Sequence, residues 1–190
     1  LRACLGAAGP VEGDRVRLTN APWSIDAGAV SAVLGGVPVQ LLNDFEAAAH
    51  GIDALAPGDL VTLQAGVPRA EGTQVVIGAG TGLGVAYRVA NAAEYRIVAG
   101  EGGHAGFAPA DAEQAALLLF LQAELGRVSA EHVVSGVGLE RIYAFQCREN
   151  ASGNGHVDAA EISRRALENA ESTALRALDQ IQARGETFPL

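Results

Sequence analysis

A glycine-rich loop at residues 78–84, Gly-Ala-Gly-Thr-Gly-Leu-Gly, has the clearest chemical meaning in this sequence. Glycine lacks a Cβ and tolerates positive φ, so the backbone of such a loop can come close to a large anion such as a phosphate group. The loop follows the apolar run 75–77, and residues 85–89 alternate apolar and polar as a second strand would. A dinucleotide-binding loop opens into a helix instead. The pattern therefore predicts a strand-to-strand hairpin that binds nucleotide phosphates outside the Rossmann family.

An amide and an acid, Asn43 and Asp44, stand where a predicted buried strand over 37–42 turns into a predicted helix that begins at Phe45. Ligands of open α/β sheets bind at this end of the strands. A carboxylate shielded from solvent there is a candidate general base for a hydroxyl nucleophile. The alternative is that Asp44 only caps the helix. The residues leave both interpretations open, and the amide beside the acid favours a polyol ligand.

Two further segments carry acids beside imidazoles. Residues 101–104, Glu-Gly-Gly-His, follow a predicted strand, and Glu101 and His104 could be held over one ligand there. The alternative is a tight turn with a surface Glu and a partly buried His. The sequence Ser-Ala-Glu-His that begins at Ser129 is typical of a helix start, with Ser129 as N-cap and Glu131 as a first-turn acid favoured by the helix dipole.

The elements that must position these residues form an α/β pattern in which strands come first and helices cluster later. Besides the strands already mentioned, period-two alternation and turn residues predict strands over 1–9, 15–18, 60–63 and 95–98. Helical periodicity and capping residues predict helices over about 25–34 with Ser24 as N-cap, 111–125, 129–134, 137–148, and 158–183 with Asp158 as N-cap.

Composition limits the classes of function. The chain is 49% hydrophobic and 18% charged, which indicates a folded globular protein, and its net charge of −9 argues against nucleic acid or an anionic membrane as the partner. Glycine amides, a helix N-terminus or Mg²⁺ can still bind an anionic nucleotide. The two cysteines, Cys4 and Cys147, predict neither a thiolate metal site nor a disulfide framework, and they indicate the reducing cytoplasm. The absence of Met predicts an internal segment of a longer protein.

Taken in this order, the motifs resemble the bacterial glucokinase family of ATP-dependent sugar kinases. The resemblance covers nearly the whole chain and fades after residue 185. The matching stretches are LTNAPW (18–23), LLNDFEA (41–47), GAGTGLGVA (78–86), GEGGHAGFAP (100–109) and SAEHVVSGVGLERIY (129–143). The family's N-terminal phosphate loop and its C-terminal glycine-rich segment have no counterpart in these residues.

The resemblance implies an α/β protein with the actin-like ATPase (ribonuclease H-like) fold of two-domain sugar kinases, incomplete in this chain. Residues 1–54 would be part of the small domain and residues 55–190 part of the large one. The family's site residues map onto Asp44 as catalytic base, onto Asn43, Asp44, Glu101, His104 and Glu131 as glucose ligands, and onto Gly78, Gly80, Thr81 and Gly82 as the phosphate loop, with no metal-ligating side chain.

The implied activity is transfer of the ATP γ-phosphoryl group to the 6-hydroxyl of glucose, the first step of glycolysis. The cofactors would be ATP and Mg²⁺, and the partners glucose, ATP and a possible second copy of the chain, without nucleic acid or membrane. The competing interpretation is a non-catalytic sugar-binding or regulatory protein on the same fold. A third class, an NAD-dependent oxidoreductase, would require a helix after Gly84.

Overall fold

The computed structural model describes residues 1–190 apart from positions 20, 68, 70, 92–93, 150–155, 170–172, 175 and 178–190. These residues divide into a first unit, 1–77 with 85–100, and a second unit, 78–84 with 101–190. The boundary predicted after residue 54 concerns the domains of the complete family protein and stays a prediction.

The described elements comprise strands, short 3₁₀ turns and helices. The strands are β1 (Ala3–Ala7), β2 (Val11–Glu12), β3 (Arg15–Arg17), β4 (Ser24–Asp26), β5 (Val39–Asn43), β6 (Gln74–Ala79), β7 (Leu83–Asn91) and β8 (Glu94–Gly100). The helices are α1 (Ala27–Val33), α2 (Asp44–Gly51), α3 (Ala112–Leu125), α4 (Gly136–Glu149) and α5 (Ala159–Asn169), with 3₁₀ turns at Ile52–Ala54, Pro57–Asp59 and Gly102–His104.

The first unit holds the strand and helix that carry Asn43 and Asp44. Strands β1 and β5 pair in parallel, with Ala7 opposite Asn43 at the end of the ladder. Helix α2 packs closely on this sheet because Gly6 has no side chain: a Cβ there would lie 2.9 Å from the Cβ of Ala47. A small core of apolar residues forms under these elements, built on Ala7, Val16, Ala27 and Leu41.

An antiparallel hairpin, β7 with β8, also belongs to the first unit over residues 85–100, with Tyr95 opposite Ala90. It buries the cation of Arg88, whose side chain is only 2% exposed. The guanidinium forms an ion pair with Asp53 in the 3₁₀ turn after α2, and its central carbon lies 4.6 Å from the centre of the Tyr95 ring. The hairpin is therefore tied to the end of the helix that begins at Asp44.

Helices build the core of the second unit. Each begins at a side-chain cap, since Asp111, Ser135 and Asp158 accept hydrogen bonds from backbone N–H groups of the first turns at 2.8–2.9 Å. The apolar faces of α3, α4 and α5 meet in one cluster that includes Leu117, Leu121, Leu139, Ile142, Phe145, Ile162 and Ala166. This cluster is the larger of the two cores, and it supports the loops that carry the candidate ligands.

Three predicted elements differ from the structure. Residues 24–26 are strand rather than helix, because Ser24 and Ile25 pair with β3, and Asp26, not Ser24, caps α1. Residues 60–63 lie outside any strand, and the side chain of Leu63 is 96% exposed. Residues 129–134 form successive turns rather than a helix.

The predicted helix over 158–183 begins as expected after Asp158, and α5 is described to Asn169. Most of its predicted continuation falls outside the described residues. Among the helices that the structure describes, none combines the length and apolar character needed to cross a bilayer.

Candidate functional site

The start of α2 positions Asn43 and Asp44 in the first unit. Asn43 is the cap: its Oδ1 accepts from the N–H groups of Phe45 at 3.0 Å and Glu46 at 3.3 Å. Its Nδ2 donates to the carbonyl of Gly9 at 3.3 Å, which fixes the plane of the amide. The capping role considered for Asp44 therefore belongs to its neighbour.

Asp44 is the first residue of α2, and its Oδ1 lies 3.0 Å from the N–H of Phe45. The residue is exposed, so the expectation of a carboxylate shielded from solvent is wrong for this structure. The reason is its place on the helix, since the buried position of α2 is Ala49.

The glycine loop in the second unit is the tip of a hairpin, as the sequence predicts. Strand β6 ends at Ala79, β7 begins at Leu83, and the N–H of Gly80 donates to the carbonyl of Gly82 at 2.8 Å. Strand and not helix follows Gly84. The oxidoreductase interpretation requires a helix at this point and is therefore wrong. A Cβ at Gly80 would meet no atom within 4 Å, which leaves open space beside the backbone there.

The glycines at the tip are needed for close approach and not for positive φ, which neither Gly80 nor Gly82 adopts. A Cβ at Gly82 would overlap the carboxylate of Glu131. On the other side, the carbonyl of Gly80 accepts from the N–H of Gly136, the first residue of α4, at 2.8 Å. The loop is thus held from two sides while its Gly80 face stays open.

The acid–imidazole turn, residues 101–104, brings Glu101 and His104 together in the second unit. Nδ1 of His104 lies 3.1 Å from Oε2 of Glu101, and Nε2 lies 3.7 Å from Oε1 of Glu131. The imidazole therefore stands between two carboxylates. The side chains of His104, Glu101 and Glu131 are 59%, 77% and 31% exposed, so a polar ligand can reach all three groups.

Glu131 joins this turn to the glycine hairpin. Its Oε2 accepts from the N–H of Leu83 at 2.9 Å, and its own N–H donates to the carbonyl of Gly103 at 2.9 Å. The helix-start interpretation of Glu131 is wrong because these contacts, and a bond from Ala130 to Ala105 at 2.8 Å, hold the segment in turns. The structure thus gathers Glu101, His104, Glu131 and the hairpin within one unit.

Sequence reasoning missed Leu83 and Gly103 as parts of this arrangement. A Cβ at Gly103 would overlap the carbonyl of Leu83, so the turn and the hairpin meet backbone to backbone. The double glycine at 102–103 is the only local signal of this contact, and it does not name the partner.

Metal binding by side chains alone finds no support in the described part of the chain, where no three His, Cys, Asp or Glu residues cluster as ligands.

The fold is that of an α/β protein of the sugar-kinase ATPase class. The sequence model of the family described as Glucokinase matches residues 1–184, and the chain belongs to the glucokinase family. The glucokinase of Chromobacterium violaceum is 37% identical over 177 residues, which are 93% of this chain and 51% of that protein. The glucokinase of Trichormus variabilis is 41% identical over 146 residues, 76% of this chain and 43% of that protein.

Solved structures agree with this assignment. The crystal structure of a glucokinase from an Antarctic psychrotroph superposes with a TM-score of 0.81 at 32% identity, covering 95% of this chain and 56% of that one. The glucokinase of Balamuthia mandrillaris in complex with glucose has a TM-score of 0.73 at 24% identity, over 95% of this chain and 57% of that one, and shows the shared fold. The chain spans about half the length of the relatives it matches. The predicted family and fold class are confirmed.

Proposed function

We propose that a protein carrying this chain is a glucokinase, which transfers the γ-phosphoryl group of ATP to the 6-hydroxyl of glucose and yields glucose 6-phosphate and ADP. The observation that carries the proposal is the contact of Glu131 with both His104 and the glycine hairpin, at 3.7 and 2.9 Å. The cluster of Glu101, His104 and Glu131, which suits sugar hydroxyls, thus lies next to a loop that has open space beside its backbone at Gly80. This is the arrangement that a sugar kinase needs.

The sugar ligands would be Asn43, Glu101, His104 and Glu131, because carboxylates accept hydrogen bonds from hydroxyl groups and an imidazole or amide N–H donates to them. Such a site rejects analogues that lack a hydroxyl, since its polar groups would then stay unpaired.

The phosphate side would be Gly78, Gly80, Thr81 and Gly82, whose backbone amides and one hydroxyl suit phosphate oxygens. Mg²⁺ bound with ATP would neutralise phosphate charge. Asp44 would accept the proton of the glucose 6-hydroxyl while the oxygen of that hydroxyl forms a bond to the γ-phosphorus of ATP. At the same time the bond between the γ-phosphorus and the bridging oxygen breaks, and this oxygen leaves with ADP. The transition state is loose, so positioning matters more than the strength of the base.

We place the protein in the cytoplasm, where glucose and ATP meet, with a second copy of the chain as a possible partner and without nucleic acid or membrane as partners. The net charge of −9 supports the latter, because an acidic surface repels polyanions.

A coupled assay for glucose 6-phosphate tests the proposal. It is run on the 190-residue chain and on a chimera that takes the parts outside the match from the Chromobacterium violaceum relative, with calorimetry of glucose binding to both. We expect ATP-dependent product at least from the chimera. Glucose binding without product in the chimera would identify a sugar-binding protein instead, and absence of both would reject the assignment.

A further inference from the structure

We propose that Glu131 couples sugar binding to phosphate binding, so that either ligand strengthens the binding of the other. The proposal rests on the proposed function, because it assigns a further, positioning role to a residue of that site. It concerns the link between the two ligands and not the identity of the residues that touch them.

The two oxygens of the Glu131 carboxylate serve different partners. Oε2 accepts from the N–H of Leu83 at 2.9 Å, whereas Oε1 lies 3.7 Å from Nε2 of His104. The side chain is 31% exposed, so one oxygen is tied to the protein while the other can still meet a ligand. Leu83 directly follows the tip residues Gly80–Gly82, and a shift of the carboxylate is therefore transmitted to the tip.

The surrounding backbone leaves little room for independent movement. Gly82 packs against the Glu131 carboxylate and Gly103 against the Leu83 carbonyl so closely that neither position accepts a Cβ. The N–H of Glu131 is itself bonded to the carbonyl of Gly103 at 2.9 Å. Packed contacts of this kind move together, because interiors at crystal-like density do not deform locally.

The energetic reason for coupling is shared ordering. A hydroxyl that donates to Oε1 restricts the carboxylate, and through Oε2 it restricts the Leu83 end of the loop. The second ligand then binds to a site that the first has already ordered, so its binding costs less conformational entropy. Such coupling is reciprocal in the binding constants, and typical values are about 5- to 150-fold.

The test measures the glucose dissociation constant by calorimetry, without and with a saturating non-hydrolysable ATP analogue plus Mg²⁺, on the chimera described above. We expect the analogue to tighten glucose binding about 5-fold or more. This factor is the ratio of the glucose dissociation constants without and with the analogue, and in Glu131→Ala it falls to about 1. Glu131→Gln keeps an oxygen acceptor for the Leu83 N–H, so it retains most of the factor although glucose binds more weakly.

His104→Gln is the matched control, because it removes a sugar ligand without touching the Leu83 contact. It weakens glucose binding equally with and without the analogue. Hydrogen exchange of the Leu83 amide gives a second readout that needs no ligand: exchange becomes faster in Glu131→Ala and unchanged in His104→Gln.

The outcomes separate this proposal from the function on which it rests. A wild-type factor of 1, a factor that survives Glu131→Ala, or unchanged Leu83 exchange in that variant would each overturn the coupling and leave the kinase assignment intact. Failure of the wild type to bind glucose would overturn the function, and Leu83 exchange would then still decide whether Glu131 positions the hairpin.

Discussion

Asn43 and Asp44 share one hydrogen-bond donor: the N–H of Phe45 lies 3.0 Å from Oδ1 of each side chain. The Oδ1 of Asn43 also accepts from the N–H of Glu46 at 3.3 Å, and its Nδ2 donates one of its two hydrogens to the carbonyl of Gly9 at 3.3 Å. Oδ2 of Asp44 makes no hydrogen bond to any residue that the structure describes. Asn43 thus fixes the helix start, and Asp44 keeps an oxygen available for chemistry.

Replacing Asp44 by Asn should lower the turnover of the chimera by about 10²- to 10⁴-fold, the range for loss of a general base, with little change in glucose affinity. Turnover is followed by the coupled assay and affinity by calorimetry. Glu46→Gln is the control, since it removes a second acid from the first turn of the same helix and should leave turnover near the wild-type value. Near-normal turnover in Asp44→Asn would remove Asp44 from its proposed role.

Asn43→Ala should destabilise the fold by about 1 kcal/mol, because the N–H of Glu46 loses its acceptor and the N–H of Phe45 keeps only the Asp44 carboxylate. Asn43→Asp keeps the acceptor oxygen and loses the bond to the Gly9 carbonyl. Its stability should therefore fall between that of the wild type and that of Asn43→Ala. Urea denaturation with equal m-values measures the difference. A wild-type midpoint for Asn43→Ala would mean that water replaces the cap at no cost.

Gly82→Ala should weaken glucose binding and destabilise the protein by about 1–3 kcal/mol, the usual cost of overpacking. The added methyl group overlaps the Glu131 carboxylate and displaces it from the Leu83 N–H. Gly80→Ala is the matched control for stability, because its Cβ points into open space. Denaturation measures the stability of both variants, and calorimetry measures their glucose affinity. Equal stability of the two variants would contradict the packing argument.

Local sequence signals were sufficient for part of this site. The apolar run before the glycine loop and the alternation after it predict the hairpin, since strand patterns are visible within a few residues. The turn at 101–104 and the helix after Asn43 follow from glycine, amide and acid residues whose preferences are equally local.

The remainder depends on partners distant in sequence. Glu131 lies 48 residues after Leu83, and nothing near position 131 indicates that its carboxylate accepts from that amide. The segment around it has the capping residues of a helix, yet bonds to Gly103 and Ala105 hold it in turns. Residues 24–26 likewise become strand only because β3 lies beside them.

The stability of the second unit should depend on pH through Glu161. Hydrogen bonds from Arg164 and then Arg165, each at 2.8 Å, lower the pKa of Glu161 from 4.5 to about 2. Because the pKa is lowered in the folded state, the stabilisation that these ion pairs give is complete above pH 4.5 and is lost as the pH falls toward 2. The stability difference between wild type and Glu161→Gln should therefore shrink over this range in denaturation experiments.

Glu124→Gln serves as the control for that pH series, since Glu124 makes no ion pair among the described residues of the chain. The pH series of Glu161→Gln is compared with the series of this variant. A flat difference for Glu161→Gln would show that its ion pairs do not form in solution.

Asp53→Ala should destabilise the first unit, because it leaves the buried guanidinium of Arg88 without its carboxylate partner. An unsatisfied buried donor such as that of Arg88 costs about 1–3 kcal/mol. Arg88→Met removes the cation but keeps most of its volume, and such replacements of buried charges are often neutral or stabilising. The double variant should then be no less stable than Arg88→Met alone, since Asp53 no longer has a cation to neutralise. Guanidinium denaturation of the four proteins measures this, and additive losses in the double variant would show that Asp53 acts independently of Arg88.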